Sequence, residues 1–541
     1  MAFRNLRNTR NAKEGVPYRK TRRMASIDSS ALEQISPAEA RFEQLRKRAG
    51  FFLAPIVFLS LWFAELPGLT TAGKDGTLIH NVPAHRLAAI MATTAVLWVC
   101  ESVPLTISAL AAASACVICG VAPPKEVFAP FADYIMFLFI GSFILARAVF
   151  IHGLNRRFAY GILGLPWIGA RPSRILFGFG AVTAVLSAWI SNTATTAMMF
   201  AIGMSILAVF FREQGSDKPL DRRYATGLML MTSFAASIGG LATPIGTPPN
   251  MIGIGFIEGQ LGVKFTFFEW MLIGTPIVAI MFFFMFGYLN YFCPAGVSEI
   301  RGGAEMLRER RQSLGPWTTS QKSTLFAFGL TVCLWVVPGV IFLIVGRGHP
   351  LYESVKETLN EGAVALVGAI LLFLLPGDRD GRAINWNEAS QIDWGIVLLY
   401  GGGFALGSLA NSTGLAMAIG QGLEALLPLD SAFSMLVFGT VMAVIVSEAT
   451  SNTASAQIII PIIIATARAA ELDPLIPALG ATFGASLGFM LPVSTPCNAI
   501  VYGSGYIPIT RMIRYGILLD LAGIVTVVSL LHFIVPHLLR R

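Results

Sequence analysis

The tripeptide Ser-Asn-Thr occurs at Ser191-Asn192-Thr193 and again at Ser451-Asn452-Thr453, each time inside a long apolar stretch. A break rich in threonine and proline follows each copy. The first reads Thr243-Pro244-Ile245-Gly246-Thr247-Pro248-Pro249-Asn250, and the second reads Leu491-Pro492-Val493-Ser494-Thr495-Pro496-Cys497-Asn498. Hydroxyls and amides are uncharged groups that can donate or accept hydrogen bonds. Where a helix is interrupted, its first N–H groups lack intrahelical partners and present the positive end of the helix dipole, which suits an anion. Carbonyls freed on the other side of the interruption, joined by Asn and Ser oxygens, make an all-oxygen set suited to a hard cation such as Na⁺. Interruptions of this kind in corresponding places of two apolar halves point to a transport site.

The elements that must position these residues are membrane helices. The 541 residues are 55% hydrophobic and 13% charged, with apolar runs of spanning length such as 51–66 and 324–345. No period-2 alternation recurs, so the expected fold is an all-α polytopic membrane protein, its helices satisfying their own backbone groups in lipid. The 53 Gly and 29 Pro read as close helix packing and broken helices. Spanning segments are expected near 51–67, 86–104, 106–122, 131–153, 225–257, 266–292, 323–345, 359–376, 391–415, 474–502 and 510–536, about eleven in all. Two further apolar stretches, 175–211 and 432–467, are each about twice the ~20 residues that one crossing needs. Each is expected to fold as a re-entrant hairpin with a Ser-Asn-Thr tip near the midplane.

Charge orients this arrangement. Residues 1–50 are basic and polar without a signal-peptide core, and read as a cytoplasmic tail with a weak amphipathic helix between Ser36 and Arg48. The net charge of +8 therefore reports topology rather than nucleic-acid binding. Counting crossings from a cytoplasmic N-terminus puts Arg156, Arg157, Arg171, Arg174, Arg212, Lys218, Arg222 and Arg223 inside. The same count puts Arg301, Arg308, Arg310, Arg311, Lys322, Arg379, Arg382, Arg511 and Arg514 inside and leaves Arg540-Arg541 outside, the one exception to the positive-inside pattern. The motif Gly141 to Ala146 with Gly153-Leu154 matches Gly402 to Gly407 with Gly414-Leu415, so the chain repeats. An odd number of crossings separates equivalent points, which makes the repeats inverted. The expected organisation is a tail (1–50), first scaffold helices (51–122), a first repeat core (123–292), a basic cytoplasmic loop (293–322), further scaffold helices (323–376) and a second repeat core (377–541).

Other residues carry less. The six cysteines, Cys100, Cys116, Cys119, Cys293, Cys333 and Cys497, lack metal-ligand spacing and read as buried thiols. Glu448 stands in the second hairpin where the first has Ala188; it reads first as a carboxylate hydrogen-bonded to its surroundings and second as a proton or cation ligand. Glu101 and Arg147 could pair inside the bundle, or snorkel from helix ends. Asp133 and Asp393 are expected to cap the helices that follow them, and the six His suggest no metal site.

The paired Ser-Asn-Thr motifs, Gly401 to Phe404 and the Thr-Pro-Pro-Asn and Thr-Pro-x-Asn turns resemble those of the divalent anion/sodium symporters, from Phe51 to the C-terminus. The resemblance implies a homodimer with a scaffold and an elevator-type transport domain. It implies substrate contacts from Ser191, Asn192, Thr247, Pro248, Ser451, Asn452, Thr453, Thr495 and Pro496. It further implies one sodium site at Ser187, Ser191, Asn192 and Gly246 and another at Ser447, Thr450, Asn452 and Ser494. Ser494 replaces Gly246 and Thr450 replaces Ile190, so the second cation site is expected to be the more polar.

The activity implied is sodium-coupled import of a C4-type dicarboxylate such as succinate, malate or fumarate. Sodium-independent exchange and sodium/sulfate symport are the alternatives. Sodium is the coupling ion and no cofactor is expected; the partners are the dianion, the ion, the bilayer and a second copy, in a plasma or inner membrane. No His-Glu-x-x-His, no Gly-x-Ser-x-Gly near a His and no complete Gly-x-x-x-x-Gly-Lys-Ser/Thr loop supports an intramembrane enzyme or an ATP-driven pump. A channel needs no matched pair of hairpin tips.

Overall fold

The computed structural model describes residues 37–72, 78–213, 222–300, 302–346, 348–378, 381–426 and 429–535. The expectations for residues 1–36 and for Lys218, Arg301, Arg379, Arg540 and Arg541 lie outside them. The described chain is helical apart from a small antiparallel pair, Thr70–Ala72 with Leu78–His80, which the sequence reading did not anticipate. Pro37–Phe63 is one continuous helix, so the weak amphipathic helix expected at 36–48 is the start of the first apolar one.

Both hairpins form. The first has arms Pro172–Ser187 and Asn192–Glu213, its entry set by Pro172 at the first turn, where a missing N–H costs nothing. The second has arms Ala432–Ala449 and Asn452–Ala469. Ser431 opens it with a capping box to Ser434, and Ser451 restarts the chain after the tip by accepting from the Ala454 N–H at 3.2 Å. Only Thr450 and Ser451 separate the second pair of arms, and the arms fold back on each other, with Ser455 Oγ donating to the Ala443 carbonyl at 2.8 Å.

The segments expected near 225–257 and 474–502 are each divided. Arg222–Gly239 runs into a 3₁₀ turn at Gly240–Ala242, then an extended stretch, then Pro248–Leu261. Leu475–Gly484 is followed by an irregular stretch and the short helix Pro496–Tyr502. Threonine followed by proline produces the restart in both. Thr247 and Thr495 hold extended backbone at the cap position, and Pro248 and Pro496 enter the first turn with φ already set.

Among the described residues, nine helices are long and apolar enough to span, or ten if the bent pair Pro350–Thr358 and Glu361–Leu374 is one crossing. The expectation was about eleven. The nine include one arm of each hairpin, and they leave out Pro37–Phe63, with its charged first turns, and Leu105–Ile118, with 14 residues. Length and apolarity alone do not tell a hairpin arm from a span. What distinguishes the tips is what they pack against.

The core is shared between the halves. The first hairpin packs on Arg222–Gly239 and the second on Leu475–Gly484. The short helices beyond the breaks cross over: Pro248–Leu261 lies against the second hairpin, and Pro496–Tyr502 lies against the first. Glycine allows this closeness. A Cβ at Gly239 would stand 2.2 Å from the Ala184 carbonyl oxygen, and one at Gly240 would stand 2.5 Å from the Asn192 amide.

Candidate functional site

At the first tip, the Asn192 side-chain amide lies 2.6 Å from Ser187 Oγ and faces the carbonyls of Ala236 and Gly246 at 3.1 and 3.2 Å. Three oxygens therefore converge on one end of the amide. Two arrangements satisfy them. The amide nitrogen turns inward and donates, or a cation sits among the oxygens with Asn192 Oδ1 as a further ligand. The donor set is all oxygen and uncharged, which fits Na⁺. Ser187 is fully buried, whereas Ser191 and Thr193 are exposed.

The second tip repeats the pattern with different partners. Ser447 Oγ lies 2.9 Å from Asn452 Oδ1 and 2.8 Å from the Ala485 carbonyl, and Asn452 Nδ2 donates to the Ser486 carbonyl at 3.3 Å. Asn452 Oδ1, Ser447 Oγ and the Ser494 Cβ all surround the Cα of Gly488, where a methyl would come within 3.2–3.3 Å of each. Thr450, expected as a cation ligand, turns its hydroxyl back to the Val446 carbonyl at 2.8 Å. Ser447, Thr450 and Ser494 are fully buried, while Ser451, Asn452 and Thr453 are half-buried.

Glu448 closes the second break. Its carboxylate accepts from the N–H groups of Met490 at 2.8 Å and Leu491 at 3.3 Å, and from the Ser494 hydroxyl. It is hydrogen-bonded to its surroundings, the first of the two sequence readings. In the first half Thr243 Oγ1 instead donates to the carbonyl of Ala188, and Ser494 Oγ makes the matching contact with the Glu448 carbonyl at 3.2 Å.

Each break is pinned by one asparagine. Asn250 Nδ2 donates to Gly240 and Thr243 carbonyls at 2.9 and 2.8 Å; Asn498 Nδ2 donates to Gly488 and Leu491 carbonyls at 3.1 and 2.9 Å. Both reach back ten and seven residues. Carbonyls that would be orphaned inside the membrane are thereby satisfied.

The crossed-over helix Pro496–Tyr502 brings the second turn to the first motif. The Cys497 sulfur sits among the hydroxyls of Thr193, Thr196, Ser237 and Thr495, so the first tip abuts the second turn. Thr495 caps its helix by accepting from the Cys497 N–H at 3.3 Å. Thr247 makes no side-chain cap and is buried, while Pro248 is half-buried and Pro496 exposed.

A cavity of about 290 Å³ opens beside the first tip, lined by Ser191, Gly246 and Pro248 and, from across it, by Arg147, Gln391 and Asp393. The Arg147 guanidinium donates to the Gln391 side chain. Of the two readings open for Glu101 and Arg147, their mutual pairing does not occur: Glu101 pairs instead with Arg46 at 3.0 Å. Asp133 and Asp393 do cap, accepting from Ile135 N at 2.9 Å and Ile396 N at 3.3 Å. Sequence reasoning missed Arg147 as a cavity residue and the carbonyls of Ala236, Ala485 and Ser486 as partners of the Asn and Ser side chains at the tips. A lone arginine in the apolar helix Tyr134–Ile151 was the available signal for the first; backbone carbonyls have none.

Comparison with known proteins agrees with this architecture. The model of the sodium:sulfate symporter transmembrane region matches residues 77–537. The chain is 34% identical over 497 residues to the sodium-dependent dicarboxylate transporter SdcS of Staphylococcus saprophyticus, covering 91% of this chain and 92% of that one. It is 32% identical to SdcS of Staphylococcus aureus strain USA300, with 91% of each covered. In fold it is similar to the YdaH transporter of Alcanivorax borkumensis, with a TM-score of 0.51, 12% identity, and 90% and 97% of the two chains covered. It is also similar to MtrF of Neisseria gonorrhoeae, with a TM-score of 0.53, 12% identity, and coverages of 90% and 94%. Matched across most of its length by that model and by relatives of this identity, the chain belongs to the divalent anion/sodium symporter family, an all-helical family of integral membrane transporters.

Proposed function

We propose that this protein is a secondary active transporter that imports C4-type dicarboxylates, such as succinate, malate or fumarate, together with sodium across a plasma or inner membrane. One observation carries the reading. Asn192 and Asn452 each stand between a buried oxygen cage and an accessible hydroxyl-bearing tip. A sodium ion in the first cage requires Asn192 Oδ1 to point inward. That orientation turns Nδ2 outward, where it donates to a carboxylate oxygen beside Ser191. Cation and anion are thus recruited by opposite ends of one amide. The second tip supplies Ser451, Asn452 and Thr453, and the turns supply Thr247-Pro248 and Thr495-Pro496, so a guest with two anionic ends meets two sets of donors. The name carried by the staphylococcal relatives supports the same substrate class.

Energetics follows from charge. Each positive charge entering beyond those that neutralise the dianion gains ~2.3 kcal/mol per 100 mV of inside-negative potential. With more than two sodium ions per dianion, import is concentrative. The protein acts as a homodimer in which hairpins and broken helices move as one body against the remaining helices, with the N-terminus in the cytoplasm.

The test is reconstitution. Purified protein in proteoliposomes is given labelled succinate outside, first with an inward sodium gradient, then without sodium but with unlabelled dicarboxylate inside. Entry under the sodium gradient alone supports symport. Entry only by counterflow replaces symport with exchange, and sodium-driven sulfate entry with no succinate entry replaces the dicarboxylate.

A further inference from the structure

The first two helices and the second half of the chain meet around a cavity that nothing above employs. It holds about 420 Å³, within the roughly 300–1,000 Å³ of small-molecule sites. One wall is Val82–Cys100, with Leu61 of Pro37–Phe63 beside it. The other wall is made of Trp394–Ser412, Leu415–Leu426 and the second hairpin's arm Asn452–Ala469. Ala88, Ala92 and Ala95 recur at helical spacing along the first wall, and their short side chains make the room.

The lining is apolar with two exceptions among the described residues, Trp98 and Gln457. The Trp98 indole N–H is already engaged by the Leu105 carbonyl at 3.3 Å. Gln457 is not satisfied. It is 5% exposed, its Nε2 donates to the Leu399 carbonyl at 3.4 Å, and its Oε1 has no hydrogen-bond partner. That oxygen rests against Gly403, another lining residue, where a Cβ would stand 1.8 Å from it. A Cα–H is a weak substitute for a donor. Pro461, one turn on and also in the lining, adds a second acceptor, because it has no N–H to return to the Gln457 main-chain carbonyl.

The chemistry of the walls selects the guest. Water needs several polar partners, and here the acceptors stand at one point of an apolar surface. A charged molecule finds no counter-charge among the described lining residues. A neutral apolar body with one O–H or N–H satisfies both the walls and the orphaned oxygen. The glutamine is also separate from the duplicated transport pattern: five residues after the tip asparagine, the second half has Gln457 and the first has Ala197.

We propose that this cavity binds a neutral lipophile with one hydrogen-bond donor, of the class of long-chain alcohols, and that its occupancy arrests transport. The hydroxyl donates to Gln457 Oε1, and the chain lies along Ala88, Ala92 and Ala95. The bound molecule then ties the second hairpin to the first two helices, which have to slide past each other in a transport cycle. The arrest rests on the moving-body reading given above; the binding site does not.

Photolabelling of the full-length protein in lipid nanodiscs with a diazirine-bearing decanol, mapped by mass spectrometry, tests the site. Labelled residues are expected on Val82–Cys100 and Asn452–Ala469. Unlabelled decanol is expected to suppress that labelling at about one tenth of the membrane mole fraction that decane requires, as one buried hydrogen bond predicts. Gln457→Leu is expected to bring the two competitors level. Ala92→Phe fills the room and is expected to lose the labelling; Ala95→Met serves if that variant does not fold. Labelling unmoved by the filling variant overturns the site, and decane as effective as decanol on wild type overturns recognition through Gln457. Uptake into proteoliposomes reads the arrest. Decanol is expected to lower the maximal rate of wild type severalfold and to leave that of the filling variant unchanged, whereas equal loss in both overturns the arrest. If wild type takes up neither succinate nor sulfate, the transport reading fails, and the labelling still decides the site.

Discussion

At the scale of single residues, the proposed transport scheme rests on the two Asn amides. In that scheme, replacing Asn192 by Ala deletes a cage oxygen and a tip donor at once, and replacing Asn452 by Ala deletes the partner of both Ser447 Oγ and the Ser486 carbonyl. Asn192→Ala and Asn452→Ala are each expected to reduce sodium-driven flux to background while the protein elutes as the wild type does on size exclusion. Normal uptake by either variant removes that residue from the site. Arg147 acts at longer range, across the cavity from Ser191. If the cavity is the dianion's way in, its fixed charge favours entry without being part of the tip, so Arg147→Ala is expected to raise the half-saturating substrate concentration about fivefold, equivalent to ~1 kcal/mol, with maximal rate retained. A fall in maximal rate with unchanged half-saturation contradicts that role. Arg147 was visible in the sequence, but its partner was not. A charge in an apolar helix says that something polar faces it, and only the fold shows that this is Gln391 and a cavity rather than Glu101.

The interrupted helices explain why both breaks could be read in advance and why the way they pack could not. Thr-Pro restarts act locally, through a fixed φ and an extended cap, so both breaks declare themselves in the chain. The hairpins declare themselves by length, since 175–211 and 432–467 exceed a crossing and carry polar tips. The crossover of Pro248–Leu261 and Pro496–Tyr502 onto the opposite hairpins is tertiary, and no local signal encodes it. The asparagine pins permit an element-scale prediction. Asn250 and Asn498 each satisfy two buried carbonyls, but Asn498 Oδ1 also accepts from Ser233 Oγ at 2.6 Å, whereas Asn250 Oδ1 has no partner. Unpaired buried polar groups cost about 1–3 kcal/mol each. Asn498→Ala is therefore expected to lower the melting temperature in detergent more than Asn250→Ala, and the reverse order would show that the pins are not what holds the breaks.

Across the whole molecule, one contact joins the beginning of the described chain to the second hairpin. Arg46, on Pro37–Phe63, pairs with Glu101 at 3.0 Å and reaches the Ala449 carbonyl at the hairpin tip at 3.5 Å. If hairpins and broken helices move as a body relative to the first two helices, this contact has to part in each cycle. Cysteines at 46 and 449 in a background lacking the native six, bridged by a short thiol-reactive linker, are expected to stop flux, with a reducible linker restoring it. Undiminished transport by bridged protein excludes relative motion at this point. The contact was not legible in the sequence, because it unites residues 403 positions apart.

The gradation of depth at the tips has a kinetic corollary. Ser187 and Ser447 are sealed within the protein, whereas Ser191 and Thr193 stand open. Under the proposed site assignment, an ion bound for the inner oxygens has to pass the place where the dianion would rest, so loading would be sequential, sodium ahead of the dianion, and unloading on the far side would run in reverse. Equilibrium dialysis is expected to find succinate retained only when sodium is present, and trapped sodium leaving more slowly once succinate is added.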